Sequence, residues 1–349
     1  AGAIVLAACG SDDAGSPVDD TTEPTTTEPT APEPTATEPT TTEPTAPEPT
    51  EPADTAMRAF TDGLGEVVEI PADPQSVVAC GYAVLPLIQA GANLSAVCEW
   101  SRELDNMDAA TLAAYEAIPK VAPDGSASSI SYEAVAAADP DLIILGVPAP
   151  ALGDVNLDAL NELAPVVILA PNEPGEWREL GEQYADAGGV SDAYGEARAS
   201  YEALAAEIAT EFSELFASAS FGGVCTPCGI YDGTFVREYT SSYVTKHFDD
   251  LGAEFPVAPD VEYSHSIEVS VENITESLGD VDVIVYGVEV DGSVPAGMEE
   301  LFESTLWQAL PAVQSGRLIE VRHHSAATHP TAMLALESIR EQLAALPPL

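Results

Sequence analysis

The chain has 349 residues, 46% of them hydrophobic, and carries 59 acidic against 10 basic residues, a formal net charge of −49. So acidic a surface repels phosphate backbones and excludes nucleic acid as an expected partner. No apolar run is long enough to span a bilayer as a helix, which excludes a polytopic helical membrane protein as well.

The N-terminus opens on an apolar run, Ile4-Val-Leu-Ala-Ala, that ends at Cys9. Too short to cross a membrane, residues 1–9 read as the end of a signal peptide. Leu6-Ala-Ala-Cys9 resembles the lipobox of bacterial lipoproteins, which implies a lipid on Cys9 and anchoring to the outer face of the cell membrane by that lipid alone. An ordinary secretory signal is the alternative. Residues 10–56 form a Thr/Pro/Glu-rich tract in which TEPTTTEPTAPEPTA (22–36) recurs almost unchanged at 37–51. Proline removes backbone donors and spaced carboxylates repel, so this tract is expected to be a disordered, extended tether. At roughly 3 Å per residue it reaches up to about 140 Å.

From residue 57 onward the length and apolar fraction allow one large or two medium folded units. Strands are expected at 66–70, 77–80, 94–98, 141–145 and 166–169, and helices at 83–90, 109–117, 132–138, 157–163 and 176–187. A long Ala/Glu-rich helix, 191–217, follows, with Ser191 as its N-cap. Further strands are expected at 221–225, 234–238, 282–286 and 317–321, with helices at 242–251, 271–278 and 330–345. The expected fold is α/β. Two lobes with mainly parallel sheets, 57–190 and 218–349, are joined by one rigid helix, 191–217. The lobes echo each other, since Ser131-Tyr-Glu133 and Ser270-Val-Glu272 each precede a helix and then an apolar strand.

With Cys9 assigned to lipid, four of the five cysteines remain, and an even number in an exported chain points to disulfides. Cys80 and Cys98 end neighbouring strands and are paired on that ground, which leaves Cys225 and Cys228 to close a small loop. Cys225-Thr-Pro-Cys228 is also a redox spacing, but a turn follows it where a redox pair has a helix. A structural or ligand-shaping disulfide is therefore preferred, with a thiol oxidoreductase as the competing reading. Direct metal ligation is not expected of His323, His324 and His329, because adjacent His side chains often diverge and His329 precedes Pro at the closing helix. Neither a Gly-x-Ser-x-Gly elbow nor a phosphate loop nor a dinucleotide fingerprint is present, so no enzyme and no cofactor are expected.

The order and spacing of several pieces resemble the substrate-binding lipoproteins of ABC importers for ferric siderophores, haem and cobalamin. These are Phe60-Thr-Asp-Gly-Leu-Gly, EVVEIPADPQSVVA at 66–79, the paired Ser-x-Glu elements, Trp307, Leu310-Pro-Ala-Val, Gly316-Arg317 and His329-Pro-Thr-Ala. The resemblance covers nearly all of residues 57–349. It implies a monomer with a ligand in the cleft between its lobes, a bridging helix that permits only small closure, and an ABC permease as partner. Glu133 and Glu272 would dock on that permease. Loops after strand ends would line the cleft, with Tyr82, Trp100 and Arg102 from the first lobe and Tyr231, Arg237, Tyr239, Tyr286, His323 and His324 from the second. Aromatic faces with arginine suit a ferric siderophore, whose arms stack and whose oxygens are anionic. Cobalamin or haem is the alternative ligand.

Overall fold

The computed structural model describes residues 56–256 and 265–349. The expected signal peptide, Cys9 and all but the last residue of the tether lie outside them. The described chain starts with a hairpin in which β1 (Met57–Thr61) pairs antiparallel with β2 (Val67–Pro71). The sequence pattern yields the second strand but not the first. The turn between them is tied by Asp62, whose Oδ1 accepts from the backbone N–H groups of Leu64 and Glu66, each at 2.9 Å.

The first lobe alternates β3 (Val77–Gly81), α1 (Val84–Gln89), β4 (Leu94–Cys98), α2 (Ala109–Ala117), β5 (Lys120–Ala122) and α3 (Tyr132–Ala137). It continues with β6 (Leu142–Gly146), α4 (Leu157–Asn161), β7 (Val166–Ile168) and α5 (Trp177–Ala187). The sheet is parallel throughout, in the order β5-β4-β3-β6-β7. Its strands are apolar runs because both faces are covered. Val77, Ala79, Leu142 and Ile144 pack into one layer, and Val78, Cys80, Ile143 and Leu145 into the other.

A 21-residue helix, α6 (Ser191–Glu211), leads out of this lobe. It is shorter than the expected 191–217, because Phe212 leaves helical geometry before α7 (Ser213–Ser218) begins. There the Ser213 hydroxyl bonds the Thr210 carbonyl and competes with the helix ladder. Ser191 is the first helical residue rather than the cap, which is Val190.

The second lobe contains β8 (Phe221–Val224), β9 (Thr234–Glu238), β10 (Ser266–Ser270), α8 (Ile274–Leu278) and β11 (Val283–Gly287). After them come α9 (Glu299–Glu303), α10 (Thr305–Gln308), α11 (Pro311–Gln314), β12 (Leu318–Val321) and α12 (His329–Ala345). The sheet order is β10-β9-β8-β11-β12, with β9 and β10 antiparallel, so this sheet is mixed. Segment 242–251 is not the expected helix. It holds two single 3-10 turns, Thr245–His247 and Asp249–Leu251, and ends at Gly252 with φ +81°. The buried Glu238 carboxylate accepts from the N–H groups of Val244 and Thr245 and fixes this irregular path. The expected helix 271–278 likewise opens with a 3-10 turn, Val271–Asn273, preceded by the unexpected strand β10.

Phe221, Val283, Val285 and Ile319 of the second sheet pack on Tyr201 and Ile208 of α6 and on Leu336 and Ile339 of α12. Trp177, carried by α5 of the first lobe, is buried in that same cluster, its ring 5.7 Å from Tyr201 and 5.0 Å from His329. The two lobes thus share a core, and burial of one such indole stabilises their union by about 3 kcal/mol.

Candidate functional site

In each sheet the strand order reverses once, between β3 and β6 and between β8 and β11. At such a point the loops leaving the strands diverge and open a crevice. A cavity of about 570 Å³ lies where the two sets of loops meet. Tyr82 follows β3, Trp100, Arg102 and Asn106 follow β4, and from the other lobe the loops after β8, β9, β11 and β12 complete the wall.

The first-lobe side is an aromatic pair with a cation across it. Gly81, at φ +66°, turns the chain out of β3 where any Cβ would collide with the Gly146 carbonyl, so Tyr82 can follow directly. Its ring meets Trp100 edge-on, with centroids 4.8 Å apart. Arg102 donates to the Tyr82 hydroxyl at 2.7 Å, and its guanidinium carbon lies 5.9 Å and 6.0 Å from the two ring centroids. Burial raises the Tyr82 hydroxyl above its ordinary pKa, against the pull of Arg102. Trp100 donates through Nε1 to Glu103 at 3.2 Å.

The second-lobe side carries the disulfide loop. Cys225 is bonded to Cys228, and Cys80 to Cys98. Thr226 pins the 225–228 loop by donating to the Gly287 carbonyl at 2.6 Å. His323 and His324 are both at the cavity, and burial lowers both pKa values, that of His324 to about 4. One end of the cavity is bridged between lobes: His323 Nδ1 stands 2.8 Å from Asn106 Oδ1, and Asn106 Nδ2 donates to Ser325 at 3.0 Å. Among the described residues no group of three or more His, Cys, Asp or Glu is arranged to hold a metal ion.

Four expected ligand residues are placed elsewhere. Arg237 is buried at 2% exposure inside the second lobe, donating to the Gly223 carbonyl at 2.8 Å in space left by the missing side chain of Gly222. Burial brings its pKa down to about 10. Tyr239 is buried beside it, with the Arg237 guanidinium 5.5 Å from its ring. Tyr286 is buried against Phe302 and Trp307 and donates to Glu320 at 2.9 Å. Tyr231 is 72% exposed and outside the cavity. Arg237 alternates with Val236 and Glu238 within β9, so its side chain belongs to a sheet face and not to a loop.

Lys246, Asn106 and Tyr243 line the cavity without having been singled out in the sequence. Lys246 was hidden inside a segment read as a helix, and its one distinguishing mark is that the chain has only two lysines. Burial lowers its pKa to about 8. Arg102 and Lys246 are the two basic residues that line the cavity, and neither is within ion-pair distance of a carboxylate among the described residues. Glu133 and Glu272 are both exposed on first turns, near Ser131 and Ser270, whose hydroxyls accept from backbone N–H groups at 3.3 Å.

The sequence profile of the periplasmic binding protein family matches residues 77–324, and the chain belongs to that family. Its members are extracytoplasmic binding proteins that work with ABC transporters and catalyse nothing. Among solved structures, the siderophore periplasmic binding protein from the fuscachelin gene cluster of Thermobifida fusca is 28% identical. That match covers 79% of this chain and 99% of that one, with a TM-score of 0.63. The FhuD protein from S. pseudintermedius is 22% identical over 84% of this chain and all of its own, with a TM-score of 0.64. The periplasmic catecholate-siderophore binding protein VctP from Vibrio cholerae is 20% identical over 83% of this chain and all of its own, with a TM-score of 0.60. These last two share the fold. No curated protein matches the chain. Among the described residues no helix is long and apolar enough to cross a membrane.

Proposed function

We propose that the protein captures a ferric siderophore in the cleft between its lobes and hands it to a membrane ABC permease. The observation that carries this reading is the placement of Arg102 and Lys246, with the Tyr82–Trp100 pair, around one cavity in a chain of net charge −49. Two cations outside ion-pair distance of any carboxylate among the described residues suit the anionic oxygens that surround chelated iron, and aromatic faces suit planar chelating arms. The Thermobifida fusca relative is a siderophore periplasmic binding protein, which points the same way. Glu133 and Glu272, exposed on matching elements of the two lobes, are the proposed permease contacts, and a lipid on Cys9 would hold the receptor at the membrane. Thiol oxidoreduction is disfavoured, because Cys225 is fully buried and the loop runs on into a turn and β9 rather than a helix.

Intrinsic fluorescence titration tests the reading. Quenching of the Trp100 signal is expected with a ferric hydroxamate or a ferric catecholate. Preferential binding of haem or cobalamin, or of none of the four, would overturn it.

A further inference from the structure

Two side chains of one short turn fasten the first-lobe wall of the cavity to the second lobe. The turn, Ser101–Asn106 after β4, is a 3-10 turn interrupted at Glu103, whose φ of −125° and ψ of 19° leave helical geometry. Glu103 is buried to 2% exposure, while its neighbour Arg102 stays exposed. Its Oε1 accepts from the Trp100 indole N–H at 3.2 Å, and its Oε2 accepts from the Ala327 N–H at 3.1 Å and lies 3.1 Å from the Thr331 hydroxyl. Thr331 belongs to the Thr328 capping box that opens α12, so the second-lobe anchor is itself held in place. At the other end of the turn Asn106 bonds Ser325 and His323 of the same second-lobe segment.

We propose that Glu103 is a positioning residue of the ligand site: it fixes the Trp100 indole against Tyr82 by fastening it to the start of α12 in the other lobe, so that the packing of the lobes sets this aromatic wall. The inference rests on the reading of the cleft as the ligand site.

The Trp100 backbone N–H donates to the Tyr115 hydroxyl at 2.8 Å, which holds the main chain but leaves the side-chain torsions of the ring free. The indole N–H is the one polar atom of that ring, so the oxygen it meets selects among the ring's poses. In the selected pose the indole stands edge-on to Tyr82, with centroids 4.8 Å apart. Two N–H groups, Trp100 from the first lobe and Ala327 from the second, need an acceptor oxygen each, and a carboxyl group supplies both. Burial raises the Glu103 pKa, but the two N–H groups keep their acceptors in either protonation state, since a carboxyl proton can turn to the Thr331 hydroxyl.

The chain's three tryptophans make this measurable without a ligand. 15N NMR of the full protein, with Trp100→Phe to assign the signals, follows each indole N–H directly. In Glu103→Ala the Trp100 signal is expected to move upfield and to exchange with solvent roughly tenfold faster, while those of Trp177 and Trp307 stay in place. An unmoved Trp100 signal overturns the proposal. Glu103→Gln keeps one acceptor for two donors and should fall between the parent and Glu103→Ala. Should Glu103→Ala fail to fold, Glu103→Gln carries the test, and a parent-like Trp100 signal there overturns the proposal equally. Affinity for a ferric trihydroxamate separates positioning of the ring from mere support of the seam. Glu103→Ala should weaken it roughly tenfold in the parent and less than about threefold in a Trp100→Phe background, where no indole N–H remains to be held. An equal loss in both backgrounds overturns the role at the site. If the Trp100 signal responds but no ferric chelate binds, the positioning of the indole stands and the siderophore reading falls.

Discussion

Arg178 Nε of the first lobe lies 2.7 Å from Asp250 Oδ2 of the second. The same guanidinium donates to the Gly175 and Lys246 carbonyls and to the Tyr201 hydroxyl, while Tyr201 itself donates to Asp250 at 2.7 Å. One planar fork thereby closes the back of the seam. Asp250 is partly exposed, so the ion pair itself is screened and the backbone contacts matter more.

Arg178→Ala should cost about 1–3 kcal/mol in urea denaturation, since it leaves a buried carbonyl without its donor. Arg178→Lys should recover less than half of that loss, because an ammonium cannot reproduce the fork. Equal stability of Arg178→Lys and the parent would show that charge alone holds the seam.

Arg102→Ala and Lys246→Met should each weaken a ferric siderophore roughly tenfold or more, with the loss shrinking as salt is raised. Arg237→Met should leave affinity unchanged, because that guanidinium is spent on the Gly223 carbonyl within the sheet. Calorimetric titration of the three variants separates cleft cations from a structural one.

Burial raises the Glu238 pKa from 4.5 to about 7, and its Oε1 has no hydrogen-bond partner. The folded state therefore holds a proton that the unfolded chain releases, and stability from this group is greatest below about pH 4.5 and falls as pH rises towards 7. Glu238→Gln should match the parent near pH 4.5 and exceed it by roughly 3 kcal/mol near pH 7.5. A difference that does not change between those pH values would contradict the buried charge. The Lys246 shift acts in a separate window, above about pH 8.

The two disulfides should divide stability from binding. Cys80–Cys98 spans 18 residues and Cys225–Cys228 only 3. By loop-closure entropy, removing the first should cost about 3 kcal/mol and the second roughly half as much. Only the second lines the cavity, so the Cys225→Ser, Cys228→Ser double variant should weaken ligand binding beyond its effect on melting temperature.

Much of this architecture is written in local pattern. The apolar strands DLIIL and DVIVY, the helix 109–117 and the closing helix were all legible, because period and burial agree there. The cavity wall was legible in the loops after parallel strands, which carry Tyr82, Trp100 and Arg102. It failed at β9, where an antiparallel strand turns Arg237 into the sheet, a fact of pairing that no local pattern carries. Glu103 escaped for a related reason: its partners Ala327 and Thr331 lie more than two hundred residues away. Segment 242–251 has helical composition, but a single buried carboxylate overrides it.

Trp177 lets the kinetics of capture be anticipated. A receptor whose halves share an indole in one apolar core does not hinge open like a shell, since parting them would wet that ring. Ligand exchange is then governed by passage past the rim loops, with no slow opening step ahead of encounter. The observed association rate should rise in proportion to ligand concentration without a plateau, as for a preformed socket.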